Sequence, residues 1–230
     1  MTLMTHGEFQ TASEEWLASS AAGVLSSGKS LALACQAEVQ PALAAKLNEF
    51  DTVGASLLEG AHGDVLSDDF LDRMLESLDQ VDADTQPQIV ETATNAAPNM
   101  HDDAWMPQTL KTHLANANIK VKWRKTGPGV QRAPLFTTET GERVYLLRAQ
   151  PGQIMPMHSH AGDEWTLILQ GGYKAGEDHF VAGDLHAEDD ECQHQPVIDQ
   201  GETCICLVVD DGPLKFRNPL LKFMQPLFRI

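Results

Sequence analysis

Two histidines separated by one residue, at the head of a short apolar run, set the tightest limit on how this chain can fold. The stretch Gly152 to Gly171 reads Gly-Gln-Ile-Met-Pro-Met-His-Ser-His-Ala-Gly-Asp-Glu-Trp-Thr-Leu-Ile-Leu-Gln-Gly. On a strand, His158 and His160 point to one face. Glu164 follows after three intervening residues and Gly171 after six more. A second half lies downstream, with Gly183-Asp184 and then His194 eleven residues after Gly183. Three neutral imidazoles and one carboxylate suit a borderline divalent metal held inside a small β-barrel. The candidate ligands are therefore His158, His160, Glu164 and His194. Zinc is the favoured ion, with iron, manganese and nickel as alternatives should the site keep open positions.

Charge is distributed unevenly. The net charge is −17, and residues 1–110 carry 18 acidic against 3 basic side chains. An acidic half repels phosphates, which argues against direct nucleic-acid binding, but it can attract a basic protein surface. The bland alternative is solvation of helix faces. The N-terminus has no signal-peptide pattern, and no apolar run approaches membrane-spanning length. Cys35, Cys192, Cys204 and Cys206 show no framework spacing, so a reducing cytoplasm is expected.

Along the chain, Thr11-Ala-Ser-Glu14 reads as a capping box that opens a helix ending near Gly23. Ser26 or Ser27 caps a second helix reaching about Val39, and Pro41 suits the first turn of a third. That third helix carries Leu43, Leu47, Phe50, Val53, Leu57 and Leu58 and stops at Gly60. Ser67-Asp68-Asp69 caps a fourth with an apolar stripe of Phe70, Leu71, Met74, Leu75 and Leu78. Residues 1–80 thus read as a small helical bundle, 81–106 as linker, and 107–230 as a second domain. That domain is expected to open with a short helix over Pro107–Leu114 and to close with another over Pro219–Gln225. Between them lie strand-like pieces at Ile119–Trp123, Val130–Leu135, Val144–Arg148, Trp165–Leu169, His179–Val181 and Cys204–Val209. Short strands with turns between them indicate an antiparallel barrel or sandwich.

The first stretch resembles the first cupin motif, glycine-x5-His-x-His-x3-Glu-x6-glycine, at every defined position. The second resembles its partner motif in Gly183 and His194 but has Asp189 and Glu191 where proline and glycine are preferred. The other histidines (His6, His62, His101, His113, His179 and His186) read as structural or exposed. Cys204 and Cys206 share one face of an apolar strand. They are candidate redox-sensing thiols if that face is the barrel interior, and plain core otherwise. No nucleophilic triad and no phosphate-cradling loop stand out.

A helical acidic domain followed by a cupin resembles the ChrR family of anti-sigma factors. Matching segments are Trp16–Leu25, Val53–Glu59, Val121–Arg124, Cys204–Leu207 and Gln225–Ile230. The resemblance implies an α+β chain of two domains, an all-α bundle and then an all-β cupin of the double-stranded β-helix type. It also implies that the bundle binds an extracytoplasmic-function sigma factor and that the cupin responds to singlet oxygen or organic hydroperoxides. One departure is clear. The family's helical zinc site has a His-x3-Cys-x2-Cys core, and those positions fall here on Gln36, Gln40 and Leu43, so that zinc site is expected to be absent. The alternative function is a metalloenzyme, a cupin dioxygenase or isomerase using the same four ligands.

Overall fold

A computed structural model describes residues 12–61, 63, 67–79, 103–189, 193–212 and 215–216. The expected closing helix at Pro219–Gln225, and most of the expected linker, lie outside them. So does Cys192. Among the described residues no helix is long and apolar enough to cross a membrane.

Five helices come first: α1 (Glu14–Ala21), α2 (Ser27–Val39), α3 (Pro41–Gly60), α4 (Phe70–Asp79) and α5 (Gln108–Asn116). The α1 cap is Ser13, whose hydroxyl accepts from the Trp16 amide; Thr11, which opens the expected capping box, lies outside the described residues. Ser26 caps α2 through the Lys29 amide, and Pro41 occupies the first turn of α3. Helices α1 to α3 meet around Leu17, Leu33 and Leu43, each almost completely buried. The stripe on α4 does not join them: Leu71, Met74 and Leu75 are 49 to 64% exposed, and Val53, Leu57 and Leu58 on α3 are 60 to 77% exposed.

The strands are β1 (Arg124–Gly127), β2 (Val130–Thr137), β3 (Arg143–Ala149), β4 (His158–Ser159), β5 (Glu164–Gln170), β6 (Gly172–Ala175), β7 (Asp178–Val181), β8 (Leu185–Glu188), β9 (Val197–Ile198), β10 (Cys204–Asp210) and β11 (Lys215–Phe216). They form a six-stranded sheet in the order β1-β2-β3-β10-β5-β8, a three-stranded sheet β7-β6-β9, and the pair β11-β4. Every pairing is antiparallel. The expected strand Ile119–Trp123 is not one. Its alternating Ile119, Val121 and Trp123 pack against the core without entering a ladder, and pairing begins at Arg124.

Alternation along β3, β5 and β10 splits the side chains into two cores. Outward-facing Val144, Leu146, Trp165, Leu167, Leu207 and Val209 join Leu31, Ala32 and Cys35 of α2 and Leu110 and Leu114 of α5. Inward-facing Tyr145, Ile168, Cys204, Cys206 and Val208 join Tyr173, Phe180 and Ile198 inside the barrel. Helix α2 lies close to the sheet because Gly28 has no side chain: a Cβ there would sit 2.8 Å from Val144 Cγ2 and 2.9 Å from Val209 Cγ1. Trp16 stacks at 4.1 Å on Trp165, and Glu38 of α2 caps α5 by accepting from the Gln108 and Thr109 amides, each at 2.7 Å.

Gln36 and Gln40, two of the positions that the family resemblance assigns to zinc ligands, have other work. Both side-chain amides donate to the Gly183 carbonyl, at 3.0 and 2.6 Å. Gly183 opens the turn into β8, and its amide donates to Ile168 of β5. Leu43, the third such position, is buried among the helices. Because one carbonyl takes both bonds, the two glutamines should behave non-additively. Gln36→Ala or Gln40→Ala alone should cost about 1 kcal/mol, and the double variant, which strands a buried carbonyl, more than the sum of the two, about 3–4 kcal/mol. Urea unfolding of the four-member cycle measures this, and strictly additive losses would contradict it.

Candidate metal centre

His158 and His194 are 36 residues apart and face each other across one backbone bridge. The His158 amide donates to the His194 carbonyl at 3.1 Å, and the His194 amide donates back at 3.0 Å. Their Nε2 atoms stand 2.8 Å apart. The His158 Nδ1–H donates to the Pro156 carbonyl at 2.8 Å, which puts the ring's lone pair on Nε2. His160 lies one residue beyond β4 and is 1% exposed. The three rings are mutually edge-on with centroids 4.3 to 5.2 Å apart. One nitrogen from each of His158, His160 and His194 lies within 4.8 Å of the other two.

Glu164 begins β5 in register with Asp210 of β10 on one side and Glu188 of β8 on the other. Arg143 forks onto Asp210 at 2.7 and 3.1 Å, so a cation and three carboxylates form a row across the sheet. The Glu164 Oε2 is 3.3 Å from His160 Nδ1, and Tyr145 and Thr166 donate to its two oxygens. Burial, and then the Asp210 charge, push the Glu164 carboxyl up to about 8. Burial pushes the imidazoles the other way, His160 to about 3 and His194 to about 2, with neighbouring imidazoles adding to it. His158 is also lowered by burial.

These residues fit a divalent ion. Both nitrogens of His160 are buried without a hydrogen-bond partner, and Nδ1 of His194 and Oε2 of Glu188 are buried facing each other. The imidazoles are held neutral with lone pairs available, and the crowded carboxylates gain from a positive charge. Three of the expected ligands therefore converge, and Glu164 lies against the outer nitrogen of His160.

Two residues beside the centre escaped the sequence reading. His186, taken there as structural or exposed, and Glu188 alternate along β8 onto the face shared with Thr166 and Glu164. The side-chain exposures of His186 and Glu188 are 14% and 10%. The only sequence signal was Leu-His-Ala-Glu after a glycine turn, an alternation too short to distinguish from chance. Of the other histidines within the described residues, His179 is exposed and pairs with Asp199 at 2.7 Å, and His113 packs on Phe136.

The barrel also encloses a cavity of about 340 Å³ that reaches His158, Glu164 and His194 at one end and Cys204 and Cys206 at another. Arg132 stands on its wall over the Tyr145 ring at 3.6 Å. The two sulfur atoms are 3.6 Å apart. The Cys206 thiol is pushed well above its ordinary value by its hydrogen bond with Cys204 and by burial, which keeps it protonated.

A family model described as the ChrR Cupin-like domain matches residues 112–215. The chain is 36% identical over 219 residues to the anti-sigma-E factor ChrR of Cereibacter sphaeroides, covering 95% of this chain and 97% of that protein. The chain belongs to the ChrR family. Among solved structures it is similar to the anti-sigma ChrR bound to SigE of Rhodobacter sphaeroides, with a TM-score of 0.68 and 31% identity over 88% of this chain and 98% of that one. Membership of the ChrR family accounts for the order of a helical region followed by a cupin and implies a metal in the barrel.

The protonation pattern gives the metal-free protein a bell-shaped stability. Buried imidazoles refuse protons that the unfolded chain accepts near 6.5, so their contribution is present above that pH and lost as pH falls toward 4. Glu164 has the opposite sign: its contribution is complete below 4.5 and lost as pH rises through about 8. Thermal melts of the metal-stripped protein should peak near pH 6 to 7, and added zinc should remove the alkaline decline. A melting temperature that climbs steadily from pH 5 to 9 without metal would contradict this charge arrangement.

Proposed function

We propose that the protein sequesters an extracytoplasmic-function sigma factor in the cytoplasm through residues 1–80, and that its metal-bearing cupin, residues 107–230, senses an oxidant and drives release. The observation that carries this reading is the likeness, over 98% of its length, to a ChrR chain captured with SigE. The exposed apolar side chains of α3 and α4 support it: Val53, Leu57, Leu58, Leu71, Met74 and Leu75 stand open to solvent on these two helices. Asp51, Glu59, Asp68, Asp69, Asp72 and Glu76 lie on the same helices or in the turn that leads into α4, so the two helices suit a partner that offers basic as well as apolar side chains.

In this reading His158, His160, His194 and Glu164 hold one divalent ion, zinc in preference to iron, manganese or nickel. A bound ion favours Glu164 in its ionised form. Cys204 and Cys206 are the thiols placed to be oxidised when a hydroperoxide enters the cavity. Each thiol would give up one electron and one proton, forming a disulfide while the hydroperoxide becomes alcohol and water. Release then requires the oxidised cupin to disfavour the bound helical arrangement by a few kcal/mol. The chain is read as a regulator, not an enzyme. The cavity beside the histidines favours one alternative, a cupin dioxygenase or isomerase acting on a small organic substrate.

Co-expression of the full chain with the sigma factor encoded beside it should yield a complex that survives gel filtration. Leu57→Asp with Met74→Asp should weaken that complex at least about tenfold, because buried apolar anchors dominate such interfaces, while leaving metal content unchanged. Failure of the unaltered chain to bind the sigma factor would overturn the regulatory reading. Redox-active iron in the purified protein, together with oxygen uptake on an organic substrate, would establish the enzyme in its place.

A further inference from the structure

The cupin motif accounts for His194 but not for what lies behind it. The Nδ1 of His194 is buried, and the atom facing it is Oε2 of Glu188. The other oxygen of Glu188 lies 3.2 Å from His186 Nε2. The Nδ1 of His186 lies 2.9 Å from the Tyr173 hydroxyl. The His186 ring is fixed in its plane by stacking on Phe180, with centroids 3.9 Å apart and an interplanar angle of 22°. A continuous polar chain therefore runs Tyr173, His186, Glu188, His194.

We propose that Glu188 is the positioning residue of the metal centre, accepting the Nδ1–H of His194 so that Nε2 of that ring is presented to the ion. The proposal rests on the reading that His158, His160 and His194 bind a divalent metal. It follows from proton accounting. His158 spends its Nδ1–H on Pro156, so its Nε2 is the ligand atom, and His194 Nε2 stands 2.8 Å from it. His194 can offer a lone pair there only if its single proton sits on Nδ1. A proton on buried Nδ1 needs an acceptor, and the Glu188 carboxylate supplies it. The remaining donors fall into line. His186 Nε2–H donates to Glu188 Oε1, and its Nδ1 accepts from the Tyr173 hydroxyl. Each ring nitrogen in the chain then has one consistent role.

The geometry separates positioning from direct ligation. Glu188 Oε2 lies against His194 Nδ1, whereas its distance to His160 Nε2 is 3.7 Å. The carboxylate thus backs one imidazole, on the side away from His158.

The test uses the full metal-stripped chain, with zinc affinity read by chelator competition and the site's shape read from the visible spectrum of bound cobalt. Glu188→Ala should weaken zinc binding by about 10–100-fold, the loss expected when such a partner is removed, and should shift the cobalt bands. Glu188→Gln keeps an oxygen to accept from the His194 Nδ1–H, while its amide donates to His186 Nε2 once the His186 proton moves to Nδ1 and is donated to the Tyr173 oxygen, so it should recover most of the affinity and the wild-type spectrum. Long-range proton–nitrogen spectra of the zinc-bound protein should place the His194 proton on Nδ1. Unchanged zinc affinity in Glu188→Ala would overturn the proposal. So would equal loss in the alanine and glutamine variants, which would make Glu188 a direct ligand. Absence of zinc binding by the unaltered chain would instead overturn the metal reading beneath it.

Discussion

The structure depends on one strand that sees no water. All seven residues of β10 are buried, and their alternation feeds two cores at once. Leu207 and Val209 face the helices, whereas Cys204, Cys206 and Val208 face the barrel interior. β10 pairs along its whole length with β3 and for most of it with β5, so it sets the height at which Asp210 meets Glu164. The carboxylate row beside the histidines is a result of that register. A slip by one residue would exchange the faces and send the sulfur atoms toward the helices.

The helical region is tied to the barrel by more than apolar contact. Lys29 reaches Glu142 and Asp163, both at 3.4 Å, and Asp211 at 3.8 Å. Gln36 and Gln40 converge on a single backbone oxygen, in a dry environment where such bonds count for more than at the surface. At positions where the family resemblance implies metal ligands within the helices, this chain places neutral amides that bond to the neighbouring sheet.

Much of this was legible from residue order. The spacing of His158, His160 and His194 marks three imidazoles that the fold does bring together, because metal chemistry admits few side chains and a strand sets their faces. Helix boundaries near Ser26, Pro41 and Gly60 followed from caps and breakers. What escaped did so for physical reasons. β8 is four residues long, so the inward alternation of His186 and Glu188 carried too few repeats to register. Ile119, Val121 and Trp123 alternate like a strand but are held by packing alone. The stripe on α4 looks the same whether it meets its own chain or another, and only the fold shows that it is left uncovered. The bridge between His158 and His194 is a contact across 36 residues that no local pattern encodes.

The shared carbonyl of Gly183 has a thermodynamic consequence. Gly183 lies in the turn that launches β8, the strand bearing His186 and Glu188, while its oxygen anchors α2. Any free energy that binding on the helices transmits through this oxygen to β8 is matched by an equal effect of the barrel on that binding, whichever comes first.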